Sequence, residues 1–301
     1  MIDVLLATYN GELYVKEQIS SILNQTFTDF KLYIRDDGSY DNTMAIINEF
    51  SDERIVLIND SKISSGVGDN FRFLMEHSQS EYIVFSDQDD VWLPNKLHEM
   101  YLFAKENFNN NTASLAYSSG YVVDSNLVKT GSLTCEYTTG NAQDFLFMNG
   151  GIQGCASLIN RKSLIDILSL NFDWYMHDQA ISLYIAFFGE IYQIKKPLFL
   201  YRQHGNNVLG YSDTTVLSKL IRVAKKKNMF VIDRKVCNSI MSFNDKIDRE
   251  HTGVLLNDFL DSLDSKIHLL LFVIKYKAKL RGSLYRLIFK ILFSNRLLSG
   301  G

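Results

Sequence analysis

Two prolines in 301 residues exclude a proline-rich linker or an extended proline-stiffened tail. Three cysteines, Cys135, Cys155 and Cys237, are far apart and odd in number. They form neither a disulfide framework nor a paired metal-binding spacing, so a reducing, cytoplasmic setting is expected. Long apolar runs are also missing. The longest near the end, Ile267 to Ile274, is interrupted by His268 and is too short to span a bilayer. The opening Ile2-Asp3-Val4-Leu5-Leu6 lacks the basic region and cleavage site of a signal peptide. Gly66-Val67-Gly68 lacks the third glycine of a dinucleotide fingerprint and the Lys-Ser/Thr of a P-loop, which counts against an NAD-dependent dehydrogenase and a P-loop NTPase.

A hydrophobic content of 46% and a charged content of 22% suffice for a buried core. The net charge of −3 hides an uneven distribution: residues 1–214 carry a balance of −13 and residues 215–301 one of +10. The two parts therefore face different partners. In the first part, short apolar runs alternate with helical patterns. Strands are expected at Val4–Ala7, Phe30–Ile34, Arg54–Ile58, Tyr82–Phe85 and Leu115–Val123. Helices are expected from Leu13 through Leu23 and over Asp41–Phe50, Asn70–His77 and Leu97–Phe108. This rhythm specifies an α/β fold with a mostly parallel, doubly wound sheet. Beyond residue 125 the pattern loosens into a glycine-bearing loop at 149–154, a helix over Tyr175–Phe188, and two short strands around Pro197. From about residue 213 the sequence reads as helical, without an internal repeat.

Ligands of such sheets bind outside the carboxyl ends of the strands. Every strand here leads into polar residues: Thr8-Tyr9-Asn10-Gly11-Glu12, Arg35-Asp36-Asp37-Gly38-Ser39, Ser64-Ser65-Gly66-Val67-Gly68-Asp69-Asn70 and Ser86-Asp87-Gln88-Asp89-Asp90. Adjacent carboxylates are costly unless a cation or strong donors compensate, and hard divalent cations take carboxylate oxygens. Each cluster also has an ordinary reading. Asp87 to Asp90 can cap the helix that follows, Asp36 to Ser39 can form a turn, His177-Asp178 can cap a helix, and His204 can be a satisfied core or surface histidine. Their convergence on one crevice argues for function more strongly than any one of them.

Val4 to Asn10, Arg35 to Thr43, and Ser86 to Pro94 together resemble family-2 glycosyltransferases of the GT-A fold, a Rossmann-like architecture. The similarity runs over roughly the first 210 residues. The block from Asp87 through Trp92 and Pro94 to Lys96 is especially similar to bacterial rhamnosyltransferases. The resemblance implies that Thr8, Asn10 and Glu12 line a nucleotide pocket and that Asp37 accepts from a pyrimidine N–H. Gly66, Asn70 and Arg72 would contact the donor, although Asn70-Phe71-Arg72 stands where many relatives have a longer stretch of small residues. Asp87 and Asp89 match the Asp-x-Asp motif, which holds a divalent metal, Mg²⁺ or Mn²⁺, against the donor diphosphate. By this resemblance Asp89 would be the direct ligand, and His204 matches a histidine that completes the metal or diphosphate site. Asp178 matches the catalytic base of inverting members. The implied reaction moves a sugar, L-rhamnose from its dTDP donor as first choice, to a hydroxyl of a growing, lipid-linked cell-surface glycan.

The expected organisation is a GT-A nucleotide-sugar-binding domain over 1–212 and a helical, basic extension over 213–301. From Lys275 to Arg296 there are seven basic residues and no acidic one. Apolar residues at 280, 284, 287, 288, 291 and 292 follow helical spacing. This suits an amphipathic helix on an anionic membrane, which would make the protein peripheral on the inner face of the plasma membrane. The alternative is a core or homo-oligomer helix. Nucleic acid is not expected, because the acidic first part repels phosphate backbones. Two other functions fit parts of the pattern. A sugar-phosphate nucleotidyltransferase would want a basic glycine-rich loop after the first strand, where Thr8 to Glu12 has no Lys or Arg. A non-catalytic nucleotide-sugar-binding protein would not depend on Asp178.

Overall fold

The first strand, β1 (Ile2–Thr8), is buried at all seven positions, as expected of a strand covered on both faces. It pairs in parallel with β2 (Phe30–Asp36) on one side and β4 (Tyr82–Ser86) on the other, and β2 pairs in parallel with β3 (Ile55–Leu57). The computed structural model describes residues 1–60, 64, 66–135, 141–170, 174–204, 229–243 and 252–299. Among these, nine strands form one sheet in the order β3-β2-β1-β4-β8-β6-β9-β5, with β7 on the side of β6. The further strands are β5 (Val91–Trp92), β6 (Ala113–Val123), β7 (Lys129–Leu133), β8 (Ser157–Asn160) and β9 (Gly189–Arg202). The parallel expectation holds for β1 to β4, β6 and β9, while β8, β5 and β7 run against their neighbours.

Helices α1 (Val15–Leu23), α2 (Thr43–Ile47), α3 (Val67–His77), α4 (Lys96–Asn107), α5 (Ala142–Phe145), α6 (Arg161–Leu168) and α7 (His177–Phe188) fill the connections. Several expected boundaries move. Leu13 lies before α1 and is exposed, so the apolar face begins at Val15. The second helix is Thr43–Ile47, shorter than expected at both ends, and at its start the Asp41 carboxylate takes the Thr43 N–H at 2.9 Å. The segment around Pro197 is one strand rather than two. Its register against β6 shifts between Ile194 and Phe199, and the irregularity absorbs the missing proline donor.

Asp3 is buried inside β1, yet it stands at the amino end of the strand, away from the crevice. Its carboxylate accepts from Ser78 Oγ, Gln79 N, Ser80 N and Ser80 Oγ at 2.7–2.8 Å, tying β1 to the turn before β4. With its acceptors filled it is structural.

The C-terminal part is helical with one addition, a parallel pair of β10 (Phe230–Ile232) and β11 (Arg296–Leu298) that joins its beginning to its end. Its helices are α8 (Arg234–Ser242), α9 (Thr252–Asp261), α10 (Lys266–Tyr276) and α11 (Leu284–Phe293). They pack on the region around α5. Phe147 meets the rings of Phe259 and Phe272, and Asp144 Oδ1 accepts from Lys279 N at 2.7 Å. Residues 213–228 and 244–251 of the expected extension lie outside the described residues. No described helix is long and apolar enough to cross a membrane.

Candidate functional site

The order of the sheet turns back at β1, where β2 lies on one side and β4 on the other, so a crevice opens at their carboxyl ends. Hydrogen bonds stitch the two loops bordering it. Thr8 Oγ1 donates to Asp36 Oδ1 at 2.8 Å, and Asp36 also accepts from Gly38 N, Ser39 N and Ser39 Oγ. Asn10 adopts a left-handed φ of 48°, which asparagine tolerates. Its N–H donates to Ser39 Oγ and its side-chain oxygen accepts from Tyr40 N. Glu12 accepts from Asn42 N and Nδ2, while its own N–H donates to Asp41. Thr8, Asn10 and Glu12 thus form the rigid wall between the first two strand ends. Asp37 follows directly, its N–H bonded to Thr8 O and its carboxylate 3.4 Å from Arg35.

Asn70 is buried beneath this wall. Its oxygen accepts from Arg35 Nη1 at 2.9 Å, and its amide nitrogen reaches the carbonyls of Thr8 and Arg35. It braces the pocket from below. Gly66, at φ 134°, is the exposed residue that opens α3. Arg72 lies further along α3, where it pairs with Asp69 and Glu76 at 3.1 Å each on the same helix. The structure brings Thr8, Asn10, Glu12, Asp37 and Asn70 into one group and engages Arg72 within its own helix.

The acidic residues follow β4. Gln88 latches this segment to the first loop, accepting from Tyr9 N and donating to Tyr9 O at 2.9 Å each. Asp89 Oδ2 lies 2.8 Å from His204 Nε2, and the Tyr14 ring stacks on His204 with centroids 4.7 Å apart. Arg202, buried at the end of β9, holds this corner. It donates to the carbonyls of Asp89 and Ser125 and to Glu17, and its N–H donates to Asp90 Oδ1. Asp90 Oδ2 is a buried oxygen with no partner among the described residues.

Burial and the Asp89 charge push Asp87 up to about 7, and burial with Asp89 and Asp87 raises Asp90 well above the carboxylate range. Besides Arg202, a second buried cation stands here, Lys96, with Nζ 4.0 Å from the Trp92 ring centre and donating to Cys155 O. Burial pulls its ammonium down to about 8 despite Asp90 and Asp87. The crowding that raises Asp87 and Asp90 is a condition that a bound divalent cation relieves. Among the described residues, Asp87, Asp90 and Cys155 present ligand atoms within 4.8 Å of one another. Burial keeps the Cys155 thiol protonated, and sulfur is soft, so this trio suits Mg²⁺ or Mn²⁺ poorly. Asp89 and His204 fit better. Neighbouring donors on an octahedral cation lie about 3 Å apart, close to the spacing of this pair.

Asp178 lies in the first turn of α7, within electrostatic reach of Asp87. Burial, then Asp87, pushes its carboxyl up to about 8, against hydrogen bonds from the N–H groups of Gln179 and Gly154. The glycine loop makes room for it. Gly151 has φ 65°, and a Cβ there would stand 2.6 Å from Asp178 O. A Cβ on Gly154 would stand 2.1 Å from His177 Nε2. The His177 ring is buried against Phe71 at 3.7 Å between centroids, with neither ring nitrogen bonded among the described residues, and burial drops its pKa to about 3. It packs as a neutral ring.

Reading the sequence alone missed Tyr14, Gln88, Arg202, Lys96 and Cys155 as members of this site. Lys96 carried one signal, a lysine two residues beyond Pro94 in an otherwise acidic block. Arg202 stood two residues before the noted His204. Tyr14 and Cys155 had none, because their place depends on which loops meet.

Residues 3–168 match the family described as Glycosyl transferase family 2. The chain is 30% identical over 226 residues to the dTDP-rhamnosyl transferase RfbG of Shigella flexneri, covering 68% of this chain and 73% of that protein. It is 28% identical over 181 residues to the UDP-Glc:alpha-D-GlcNAc-diphosphoundecaprenol beta-1,3-glucosyltransferase WfgD of Escherichia coli, covering 58% and 68%. Among solved structures, S. aureus TarS 1-349 in complex with UDP-GlcNAc superimposes with a TM-score of 0.58 at 16% identity, over 91% of this chain and 80% of that one. The mannosyltransferase PcManGT from Pyrobaculum calidifontis, in complex with GDP-Man and Mn2+, gives 0.54 at 11% identity, over 97% and 84%. These two likenesses concern the fold.

Proposed function

Since the chain belongs to glycosyl transferase family 2, and so is a hexosyltransferase using nucleotide-sugar donors, we propose that it transfers L-rhamnose from dTDP-L-rhamnose with inversion. The acceptor is a hydroxyl of a lipid-linked cell-surface glycan, reached from the cytoplasmic face of the plasma membrane. The similarity to RfbG supports the donor, and the diphosphoundecaprenol in the name of WfgD supports the acceptor class. The observation that carries the reading is the Asp89–His204 pair beside Asp87, with Asp178 within electrostatic reach of Asp87.

In this reading Thr8, Asn10, Glu12 and Asp37 receive the nucleotide, and Gly66, Asn70 and Arg72 border the donor. Asp87, Asp89 and His204 would hold a divalent cation. When bound, the cation spreads the negative charge that develops on the departing diphosphate. Asp178 accepts the proton of the acceptor hydroxyl while that oxygen attacks the anomeric carbon opposite the diphosphate. One carbon–oxygen bond forms, the bond to the diphosphate breaks, and the proton passes from Asp178 to solvent. The N–H groups of Gln179 and Gly154 point the carboxylate, so that little orientation is lost on binding.

The test is a donor screen with purified protein, Mn²⁺ or Mg²⁺ and a panel including dTDP-rhamnose and UDP-glucose, reading released nucleoside diphosphate with and without chelator. Metal-dependent release from dTDP-rhamnose, lost in Asp89→Ala and Asp178→Ala, is the expected result. Release from UDP-glucose instead would keep the class and overturn the sugar, and binding of no nucleotide sugar would overturn the reading.

A further inference from the structure

The last two helices are apolar on both sides. In α10, Leu269, Phe272 and Val273 point into the body, while Ile267, Leu271 and Ile274 are 59–70% exposed. In α11, Leu287 and Ile291 point inward, while Phe289, Leu292 and Phe293 are 39–55% exposed. Each exposed set recurs at three- and four-residue spacing, opposite the buried set, so each helix carries a second apolar stripe facing away from the body. The helices form a hairpin. Lys266 Nζ, at the start of α10, donates to the carbonyls of Leu292 and Ser294 at the end of α11, capping it. Phe289 and Phe293 stack outside it with centroids 4.3 Å apart.

Charge decides what covers this face. Lys277, Lys279 and Arg281 are exposed in the hairpin turn, within a stretch that has seven basic residues and no acidic one. Not all seven are available. Lys275 pairs with Asp258 at 2.6 Å, and Lys290 turns inward to the Val231 carbonyl. A second copy of this chain would bring like-charged turns together in an isologous contact. An anionic lipid surface meets both the aromatic stripe and the basic turn.

We propose that the α10–α11 hairpin docks the protein in the plane of an anionic bilayer, with Leu271, Ile274, Phe289 and Phe293 entering the interface and Lys277, Lys279 and Arg281 meeting lipid phosphates. The proposal rests on the reading of an enzyme that works at a membrane, and it names the surface.

The test is flotation of the full chain with vesicles of phosphatidylglycerol and phosphatidylethanolamine, and with vesicles of phosphatidylcholine. Binding is expected only to the anionic vesicles and weakens as salt is raised. Phe289→Ser with Phe293→Ser should weaken it by about tenfold or more. Lys277→Gln, Lys279→Gln and Arg281→Gln together should remove the preference for phosphatidylglycerol. Both variants should keep donor turnover in detergent, which reports an intact fold. Absent or charge-independent vesicle binding by the wild type would overturn the docking. So would a dimer in solution that dissociates with the two phenylalanine changes. Lost docking with turnover retained leaves the glycosyltransferase reading standing. Docking without turnover of any nucleotide sugar overturns that reading alone.

Discussion

Burial and Asp87 hold the Asp178 carboxyl at about 8, whereas a proton acceptor must be ionised to work. Its ordinary value is 3.8, so the folded state keeps a proton that the unfolded state releases. The stability this lends is full below 3.8, declines as pH rises, and is gone above about 8. Asp178→Asn keeps the neutral form at every pH. The variant should therefore lose less thermal stability than wild type between those two values, read by calorimetry on metal-free protein. Identical pH slopes would refute the buried proton. The same variant should lower kcat by ~10²–10⁴-fold while donor binding persists. The candidate carboxylates were legible as residues, since each follows a buried strand or opens a helix. Their ionisation was not, because it depends on what surrounds them in space.

Elements position that carboxylate through close contacts with glycine. The Gly151–Gly154 loop lies against the first turn of α7, and Gly68 of α3 lies so near the Trp174 carbonyl that a Cβ would stand 1.9 Å from it. Gly154→Ala must move the His177 ring, and Asp178 moves with it. A displacement of about 1 Å at a reacting group costs about 10²-fold. The expected outcome is a kcat lower by that order with the far-UV circular dichroism unchanged. Full activity would show that the loop does not position the base. Helix α7 was readable from the run Tyr175–Phe188 because its apolar content continues over three turns. Strands β5 and β7 were not. Val91–Trp92 is too short to show a period, and Lys129–Leu133 is largely polar and exposed at the sheet margin.

Across the whole molecule, the C-terminal helices share a core with the sheet domain. Phe147 is buried between Phe259 and Phe272, so Phe147→Ala should cost about 3–5 kcal/mol. We expect the two parts to unfold together, with tryptophan fluorescence, from Trp92 and Trp174, and far-UV circular dichroism giving one urea transition. Separate transitions would mean that residues 1–212 fold independently. A cation at the acidic corner should also be felt globally. At a hundredfold excess over its dissociation constant, Mn²⁺ should add about 2.7 kcal/mol. Because Asp87 sits at about 7 without metal, binding must displace a proton at lower pH. The rise in Tm should therefore be larger at about pH 8 than at about pH 6, and chelator should reverse it. A rise independent of pH would exclude Asp87 as a ligand.

By itself the sequence determined the succession of strands and helices, the crevice at the strand ends, and the residue types gathered there. Those follow from local apolar periods, turn chemistry and the topology of α/β sheets. The resemblance puts Asp89 and His204 in one site, but tertiary structure alone decided that Arg202 ties Asp89 and Asp90 to Glu17, that Cys155 and Lys96 lie behind Asp87, and that Lys290 turns inward. It also decided that α10 and α11 keep a second apolar face outside. Such pairings depend on strand register and on how separate loops cross. A local period records which side of an element is apolar, and it carries no information about the residue that will stand opposite.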